Sequence, residues 1–244
     1  MEGFRRIDVL DHGYVILHDV IGSDLTVVNA ARVSYNKRKE VLDEKDVRLI
    51  QFLAREGHTS PFRHCVLQFE VYAPLMVARQ WWKYVVGSDH IMDAWNESSR
   101  RYVTEEPVFY VPKVREWREA PENSKQGSGA PVSSPVGAWY TLQLFKLIET
   151  AERLYNNALQ DGICPEQARL FLPAYGLYVR WYWTGSLQSV CHFLNQRLGE
   201  DAQQEIQEYA KAVYQLAKEK FPISVQELVN KEVQESLEGE IFVG

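Results

Sequence analysis

Two short segments of the chain carry a high density of polar, charged and aromatic side chains. They are RQWWK at residues 79–83 and NESSRRY at residues 96–102. The second segment combines an amide, a carboxylate, two hydroxyls and two guanidiniums. Arginine forms bidentate hydrogen bonds with phosphate, and small serines allow close backbone approach. This composition favours phosphate binding; the alternative is a solvated loop with capping serines and surface arginines.

A later part of the chain places three arginines, Arg169, Arg180 and Arg197, among Phe, Trp, Tyr and Leu residues. A buried guanidinium is costly unless it is paired, so each of them needs an anionic or carbonyl partner. The partner is either internal, such as Glu200 or Glu205, or a bound anion or planar ring with acceptor edges.

The sequence offers no convincing nucleophile or metal site. Cys191 and His192 are adjacent, and neighbouring residues on a helix point about 100° apart, so they cannot form a hydrogen-bonded dyad. The histidines show neither HxxxH nor HExxH spacing, so we expect no metal. The three cysteines lack CxxC spacing, which is typical of reduced thiols in the cytoplasm.

Hydrophobic periodicity predicts strands early in the chain and helices in the remainder. The predicted strands are a hairpin over 5–21 and a strand over 66–74. The first predicted helix begins at a cap on Asp24, the second covers 44–56, and the third follows Pro74. A long predicted helix lies in the stretch 139–162 and ends before Gly162, and further helices fill the rest of the chain. The Ser-, Gly- and Pro-rich segment 121–137 is predicted to be a mobile surface loop. One α+β domain over 1–244, with a mainly antiparallel sheet packed against helices, accounts for this order.

Composition excludes some classes of function. The 244 residues carry a net charge of −6, which disfavours an extended nucleic-acid surface. No apolar run reaches the roughly 18–20 residues that span a bilayer. The beginning of the chain, MEGFRRIDVLDHG, lacks the apolar core of a signal peptide, so we expect a cytoplasmic protein.

Several separated motifs, in order, resemble the flavin-dependent thymidylate synthases over nearly the whole chain. The matching motifs are DLTVVNAARVSY near the start, GHTSPFRH at 57–64, FEVYAPLMVARQW at 69–81, NESSRRY at 96–102, RLFLP at 169–173 and HFLNQRLGEDAQQEIQEYA at 192–210. The resemblance implies that fold and synthesis of dTMP from dUMP. It implies 5,10-methylenetetrahydrofolate as carbon donor, FAD as hydride carrier, NADPH as reductant, and a homotetramer with shared active sites.

The resemblance also implies roles for individual residues. Those expected to hold dUMP are Gln80, Trp81, Trp82, Lys83, Glu97, Ser98, Ser99, Arg100, Arg101, Arg169 and Arg197. Those expected to contact FAD are Ser60, Lys83, Tyr84, His90, Asn96, Glu97, Ser186, Gln188 and His192. Arg197 is expected to be catalytic, because a guanidinium stabilises the uracil ring when N3 ionises. Ser99 and Arg101 suit the phosphate.

The chain departs from the family at its Arg-His-Arg hallmark. Lys83-Tyr84-Val85 stands where that triplet is expected; alternatively, if residues 84–89 are extra, His90 recovers the histidine. Either alignment loses an arginine of the flavin-phosphate clamp, and lysine cannot replace its fork. Gln188 stands where an arginine is usual, and Asp201 where a histidine is common.

Two alternatives remain at this stage. A relative with this fold could prefer another nucleotide or make a 5-hydroxymethyl pyrimidine nucleotide. A non-catalytic nucleotide or single-strand nucleic-acid binder could stack bases on aromatic residues. The residues available for such stacking are Trp81, Trp82, Arg180, Trp181 and Trp183.

Overall fold

The protein is built around one five-stranded antiparallel sheet with strand order β1-β2-β3-β5-β4. The computed structural model describes residues 5–35, 37–86, 94–99, 106–122 and 127–241. The strands are β1 (Arg5–Val9), β2 (Gly13–Ile21), β3 (Val66–Pro74), β4 (Ala94–Glu97) and β5 (Tyr178–Ser186). The predicted α+β fold with an antiparallel sheet is confirmed, as are the early hairpin and the strand over 66–74.

The helices pack on this sheet or on one another. They are α1 (Asp24–Ala31), α2 (Glu44–Arg55), α3 (Leu75–Val86), α4 (Ser134–Gln160), α5 (Pro165–Ala168), α6 (Leu187–Arg197), α7 (Gln204–Lys220), α8 (Pro222–Leu228) and α9 (Lys231–Ile241).

Strand β5 corrects the sequence analysis, which placed residues 178–186 in a helical region. In β5, Trp181 and Trp183 are buried and alternate with the exposed Arg180 and Tyr182. This period of two, with aromatic and β-branched residues, is a strand pattern. Because β5 pairs with both β3 and β4, a late segment of the chain lies inside the sheet.

A cluster of aromatic rings fixes α3 and α6 against the inner face of the sheet. The Trp81 ring stacks on Phe193 of α6 at 4.2 Å and meets Trp181 and Trp183 edge-on at 5.4 Å. All four side chains are essentially inaccessible to solvent. Aromatic pairs at these distances add to the stabilisation from burial. Three tryptophans considered as stacking platforms for bases therefore lie in the core.

Asp24 stabilises a different helix from the one predicted. Ser23, and not Asp24, is the N-cap of α1. The buried Asp24 carboxylate instead accepts hydrogen bonds from the backbone N–H groups of Ile223 and Ser224, both at 2.9 Å, at the first turn of α8. It also accepts from the Ser224 hydroxyl at 2.5 Å. These hydrogen bonds link α1, near the start of the chain, to α8, near its end.

The outer face of the sheet carries a hydrogen-bonded polar cluster centred on Glu70. Its carboxylate accepts from the Tyr14 hydroxyl at 2.7 Å and lies 2.9 Å from His18 Nε2. His18 lies at a register shift in β2 and stacks on Tyr182 at 5.1 Å. Burial raises the pKa of Glu70, but the hydrogen bonds from His18, Tyr14 and Tyr182 outweigh it and hold this pKa below its usual value.

Helix α4 begins at Ser134, five residues before the predicted start, and so includes the end of the segment predicted as loop. Gly137 permits this, because a Cβ there would lie 1.9 Å from the Val114 carbonyl oxygen. Helix α4 ends at Gln160, and Gly162 follows with φ of 86°. Its inner face packs on a second small core that includes Phe109, Ile148 and Leu177.

Candidate active site

A polar cavity of about 740 Å³ opens where α3 meets the end of α6. It is lined by Gln80, Lys83, Tyr84, Arg118, Gly127, Ser128, Asn195, Gln196, Arg197, Asp201 and Gln203. Four of these, Gln80, Lys83, Tyr84 and Arg197, belong to the predicted nucleotide and flavin residues. The aromatic cluster of α3, α6 and β5 holds the two helices that carry them.

Arg197 is the last residue of α6 and lies over the ring of Tyr84, with Cζ 3.8 Å from the ring centroid. Its Nε atom is buried and has no hydrogen-bond partner in the described part of the chain. Burial lowers the pKa of Arg197, and the opposing effects of Tyr84 and Asp201 do not restore it. An unsatisfied buried donor is costly, so this guanidinium is suited to an acceptor supplied by a ligand.

The other two arginines of the sequence cluster have protein partners. Arg169 donates to the backbone carbonyl oxygens of Ser99 and Glu166. Arg180 Nε lies 3.6 Å from the Glu70 carboxylate. Glu205, considered as a partner for the cluster, instead pairs with Arg118.

Two predicted tryptophans lie between Gln80 and Lys83 in the sequence but do not line the cavity. Trp81 points into the core, because its ring fills the space between α6 and the sheet. Trp82 is 45% exposed. His192, one turn along α6 from Gln188, has its ring 6.3 Å from that of Tyr84.

The described part of the NESSRRY motif, residues 96–99, forms a second group of predicted residues at the end of β4. Ser98 extends the pairing of β4 with β5, since its N–H donates to the Arg180 carbonyl at 2.8 Å and its hydroxyl accepts from the Arg180 N–H at 3.1 Å. Ser99 is held by Arg169 through its carbonyl. Asn96 and Glu97 are exposed on β4. The cavity lining within the described ranges does not include this group. The predicted residues His90, Arg100 and Arg101 lie outside the described residues.

One of the predicted flavin residues on α6, Gln188, has a side-chain oxygen without a hydrogen-bond donor in the described ranges. Gln188 Oε1 is buried and unpaired within the residues that the structure covers. Ser186 is fully buried and accepts from the Ser189 N–H at 3.1 Å as the N-cap of α6, so it fixes where the helix begins. Ser60 lies exposed in the short 3₁₀ helix Ser60–His64. An amide with an unpaired oxygen beside the half-buried His192 fits the edge of a flavin, which carries both donors and acceptors.

Sequence reasoning missed Arg118, Gln203 and Asn195, which support the cavity wall. Arg118 donates to both oxygens of Glu205 at 2.7 and 2.9 Å, and Gln203 links Glu205 to Gln80. Asn195 bonds to the backbone of Leu228 and Asn230. Arg118 had no signal of its own, because its partner is 87 residues away. Gln203 and Glu205 lie in the motif GEDAQQEIQEYA, which could have drawn attention to them.

A second cavity, of about 490 Å³, shares Arg118 and Ser128 with the polar one. Its lining is mainly apolar and comprises Met76, Phe109, Tyr110, Pro112, Glu116, Trp117, Arg118, Ser128, Leu144, Ile148, Pro173, Ala174, Tyr175, Gly176 and Glu205. Arg118 thus lines both cavities, and its partner Glu205 lines the second one.

The thiols do not contribute a nucleophile to the cavity. Cys191 is buried in the core, and burial raises its pKa. Burial likewise raises the pKa of Cys65 to about 12. Within the described ranges, no three His, Cys, Asp or Glu side chains are grouped as metal ligands. No helix in those same ranges is long and apolar enough to cross a membrane.

Comparison with known proteins adds to this geometry. The sequence model of the family described as thymidylate synthase complementing protein, Thy1, matches residues 16–223. The flavin-dependent thymidylate synthase of Thermotoga neapolitana is 38% identical over 220 residues, covering 89% of this chain and 91% of the relative. The enzyme of that name from Thermus thermophilus is 38% identical over 224 residues, covering 92% and 78%.

A solved structure shows the same fold. The UMP/dUMP methylase PolB from Streptomyces cacaoi, bound with 5-Br dUMP, superposes with a TM-score of 0.76 at 29% identity, covering 91% of this chain and 96% of that one. Fold and sequence thus define one class of enzyme, with thymidylate synthases and uridylate methylases among its members. The chain belongs to the thymidylate synthase complementing protein family. This confirms the resemblance predicted from the motifs.

Proposed function

We propose that the protein is a flavin-dependent thymidylate synthase that converts dUMP to dTMP. The observation that carries the proposal is Arg197, whose buried Nε faces no partner within the described residues while its side chain lines a polar cavity. The names of the relatives support the reaction. The conversion belongs to nucleotide biosynthesis in the cytoplasm.

The residues of the cavity have distinct tasks. Arg197 lies against the uracil ring and stabilises negative charge when N3 ionises, which polarises the C5–C6 bond without a protein nucleophile. Gln80 and Lys83 hold the nucleotide from α3. Ser98, Ser99, Arg100, Arg101 and Arg169 hold its phosphate.

The FAD site is formed by α6 and its surroundings. Gln188 and His192 hold the ring edge, and Ser60, Lys83, Tyr84, Asn96 and Glu97 complete the site, with His90 contributing if it replaces the family histidine. Reduced FAD supplies the hydride when bound, with NADPH as the external reductant and 5,10-methylenetetrahydrofolate as the carbon donor.

Two groups of predicted residues, one at the cavity and one at the end of β4, support a shared active site in a homotetramer. Helix α4 also presents Trp139, Leu142 and Phe145 to solvent, with exposed fractions of 55%, 51% and 51%. Large exposed apolar patches mark interaction surfaces. In this proposal, residues of neighbouring subunits complete each site.

An absorbance titration tests the proposal. Purified protein mixed with FAD is expected to show a bound-flavin spectrum that changes again when dUMP is added. Turnover with NADPH and methylenetetrahydrofolate is expected to give dTMP, identified by mass. Protein that takes up no FAD, or that forms no dTMP when loaded, contradicts the proposal.

A second candidate is activity on UMP as well as dUMP. The solved structures support it, since PolB is named a UMP/dUMP methylase and is also described with 5-Br UMP. Parallel assays with the two nucleotides and mass analysis of the products separate the candidates. A hydroxymethyl product would replace the lead proposal by the alternative of a hydroxymethyl-forming relative.

The variant His90→Ala tests which alignment of the hallmark motif is correct. If residues 84–89 are extra, His90 occupies the position of the family histidine. In that case we expect the variant to bind FAD more weakly, with little change in dUMP binding. Flavin and nucleotide titrations of wild type and variant give the two affinities. Unchanged FAD affinity favours the direct alignment with Tyr84.

A further inference from the structure

A series of hydrogen bonds joins four side chains and ends at the polar cavity. The four are Arg118, Glu205, Gln203 and Gln80. Arg118 Nη2 donates to both carboxylate oxygens of Glu205, and its Nη1 donates to Gln204 Oε1 at 2.8 Å. Glu205 is only 5% exposed. Two charge-assisted hydrogen bonds from one guanidinium nitrogen, with a third bond from Nη1, hold Arg118 and Glu205 in one arrangement. The series therefore begins from a rigid anchor.

The orientation of each amide follows from this anchor. A carboxylate offers only acceptors, so Gln203 turns its Nε2 towards Glu205 Oε2, at 2.7 Å. Gln203 Oε1 then faces Gln80 and accepts from its Nε2. The Gln80 amide is thus turned with its nitrogen towards Gln203. Its Oε1 has no donor among the described residues, and Gln80 lines the cavity.

We propose that Arg118, Glu205 and Gln203 are positioning residues that fix the Gln80 amide so that its oxygen accepts a hydrogen bond from the bound nucleotide. This rests on the proposed function. The shared chemistry is a donor on a pyrimidine nucleotide, either the uracil N3–H or the 3′-hydroxyl. A fixed acceptor rejects a ligand that places an acceptor or nothing opposite it, because a buried polar group is then left unpaired.

Two variants release the amide by different routes. Glu205→Gln replaces an acceptor-only group with an amide of the same shape, so Gln203 and Gln80 can both turn over. Gln203→Leu removes the acceptor for Gln80 Nε2 and leaves the pair of Arg118 and Glu205 in place. Glu208→Gln is the matched control, since Glu208 lies on the exposed side of the same helix and pairs with Lys211.

The experiment measures dissociation constants of the FAD-loaded protein for three nucleotides. They are dUMP, dCMP, whose N3 is an acceptor, and 2′,3′-dideoxyuridine monophosphate, which lacks the 3′-hydroxyl. If Gln80 reads N3–H, both variants are expected to reduce the preference for dUMP over dCMP about tenfold. If it reads the 3′-hydroxyl, the preference over the dideoxy nucleotide falls instead. Either result supports the proposal, and Glu208→Gln changes neither preference.

A double-mutant cycle separates positioning from a merely structural role. In a Gln80→Ala background, Glu205→Gln is expected to leave both preferences unchanged. Equal weakening of all three nucleotides in both variants, or no change, overturns the inference and leaves the proposed function standing. Failure of the wild type to bind dUMP contradicts both. Thermal melting shows whether each variant is folded, and Gln203→Leu carries the test if Glu205→Gln is not.

Discussion

Burial of Arg197 carries an energetic cost that is connected with its proposed function. Its Nε has lost water without gaining a partner within the described chain, while its charged group lies over the Tyr84 ring. Cation–π contact recovers part of the lost solvation. A ligand that brings a hydrogen-bond acceptor can recover the rest of the lost solvation energy. This links burial of the arginine to its proposed role.

The variant Arg197→Ala is expected to lower kcat for dTMP formation by about 10²–10³-fold, as for loss of a group that stabilises developing charge. Arg197→Lys keeps the charge but not the planar fork, so it restores only part of the rate. Initial rates with FAD-loaded protein give these values. Arg48→Ala on α2, an exposed arginine, is the control. Wild-type-like turnover of Arg197→Ala removes its assigned role.

At the scale of elements, ties between distant segments hold the framework of the site. Asp24 at the start of α1 caps α8, which is 199 residues away at Ile223. Such a contact stabilises the packing of both helices, but neither sequence segment announces it. Local signals indicated a helix start near Asp24, and only the structure shows which helix its carboxylate serves.

Asp24→Ala is expected to lower the free energy of unfolding by about 2–4 kcal/mol, because two backbone donors and a buried hydroxyl lose their acceptor. For a chain of this size, the Tm falls by roughly 5–15 °C. Asp24→Asn keeps one acceptor oxygen and is expected to lose less. Differential scanning calorimetry measures both against Asp8→Ala on β1, where the carboxylate is exposed. Equal Tm values for Asp24→Ala and Asp8→Ala would refute the cap.

The Glu70 cluster on the outer face of the sheet makes part of the stability depend on pH. Its pKa is lower in the folded protein than the usual value of about 4.3. Stability from Glu70 is therefore present above that value and is lost as the pH falls through the folded pKa. We expect the difference in Tm between wild type and Glu70→Gln to shrink from pH 7 to pH 3.5. A difference that stays constant across this range contradicts the sign.

The sequence predicted those elements whose signals are local. The strand over 66–74 alternates cleanly and ends at a proline, so its bounds were correct. Strand β5 has a similar alternation, yet it lies between helical segments, and its partners β3 and β4 are distant in sequence. The predicted residues Gln80 and Arg197 share a cavity because of tertiary packing. Arg118 could not be grouped with Gln203 and Glu205 from sequence, because it lies in a loop 87 residues before Glu205.

At the scale of the whole molecule, α4 exposes an apolar face that a lone subunit does not explain. Trp139, Leu142 and Phe145 recur at intervals of three, which places them on one side of the helix. In the proposed homotetramer this face is buried against a neighbouring subunit. Assembly then contributes both to stability and to completion of the active sites.

Phe145→Glu is expected to shift the protein to smaller assemblies and to reduce activity together with assembly, because it places a charge in an apolar interface. Light scattering coupled to size-exclusion chromatography gives the mass, and the dTMP assay gives the rate. Lys45→Glu introduces the same residue at an exposed position on α2 and serves as control. An unchanged mass for Phe145→Glu would show that this face is not the interface.

The two edge strands of the sheet are unfavourable sites for strand pairing between copies of the chain. Edge strand β1 is short and charged: Arg5 pairs with Glu219, and Arg6 pairs with Asp8 at 2.7 Å. Edge strand β4 has only four residues and ends at Glu97. Short, charged edges discourage strand-to-strand addition, which leads to aggregates that grow without limit. The edges therefore disfavour association through the sheet, and in the proposed homotetramer the subunits join through helical contacts, which can close into a finite particle.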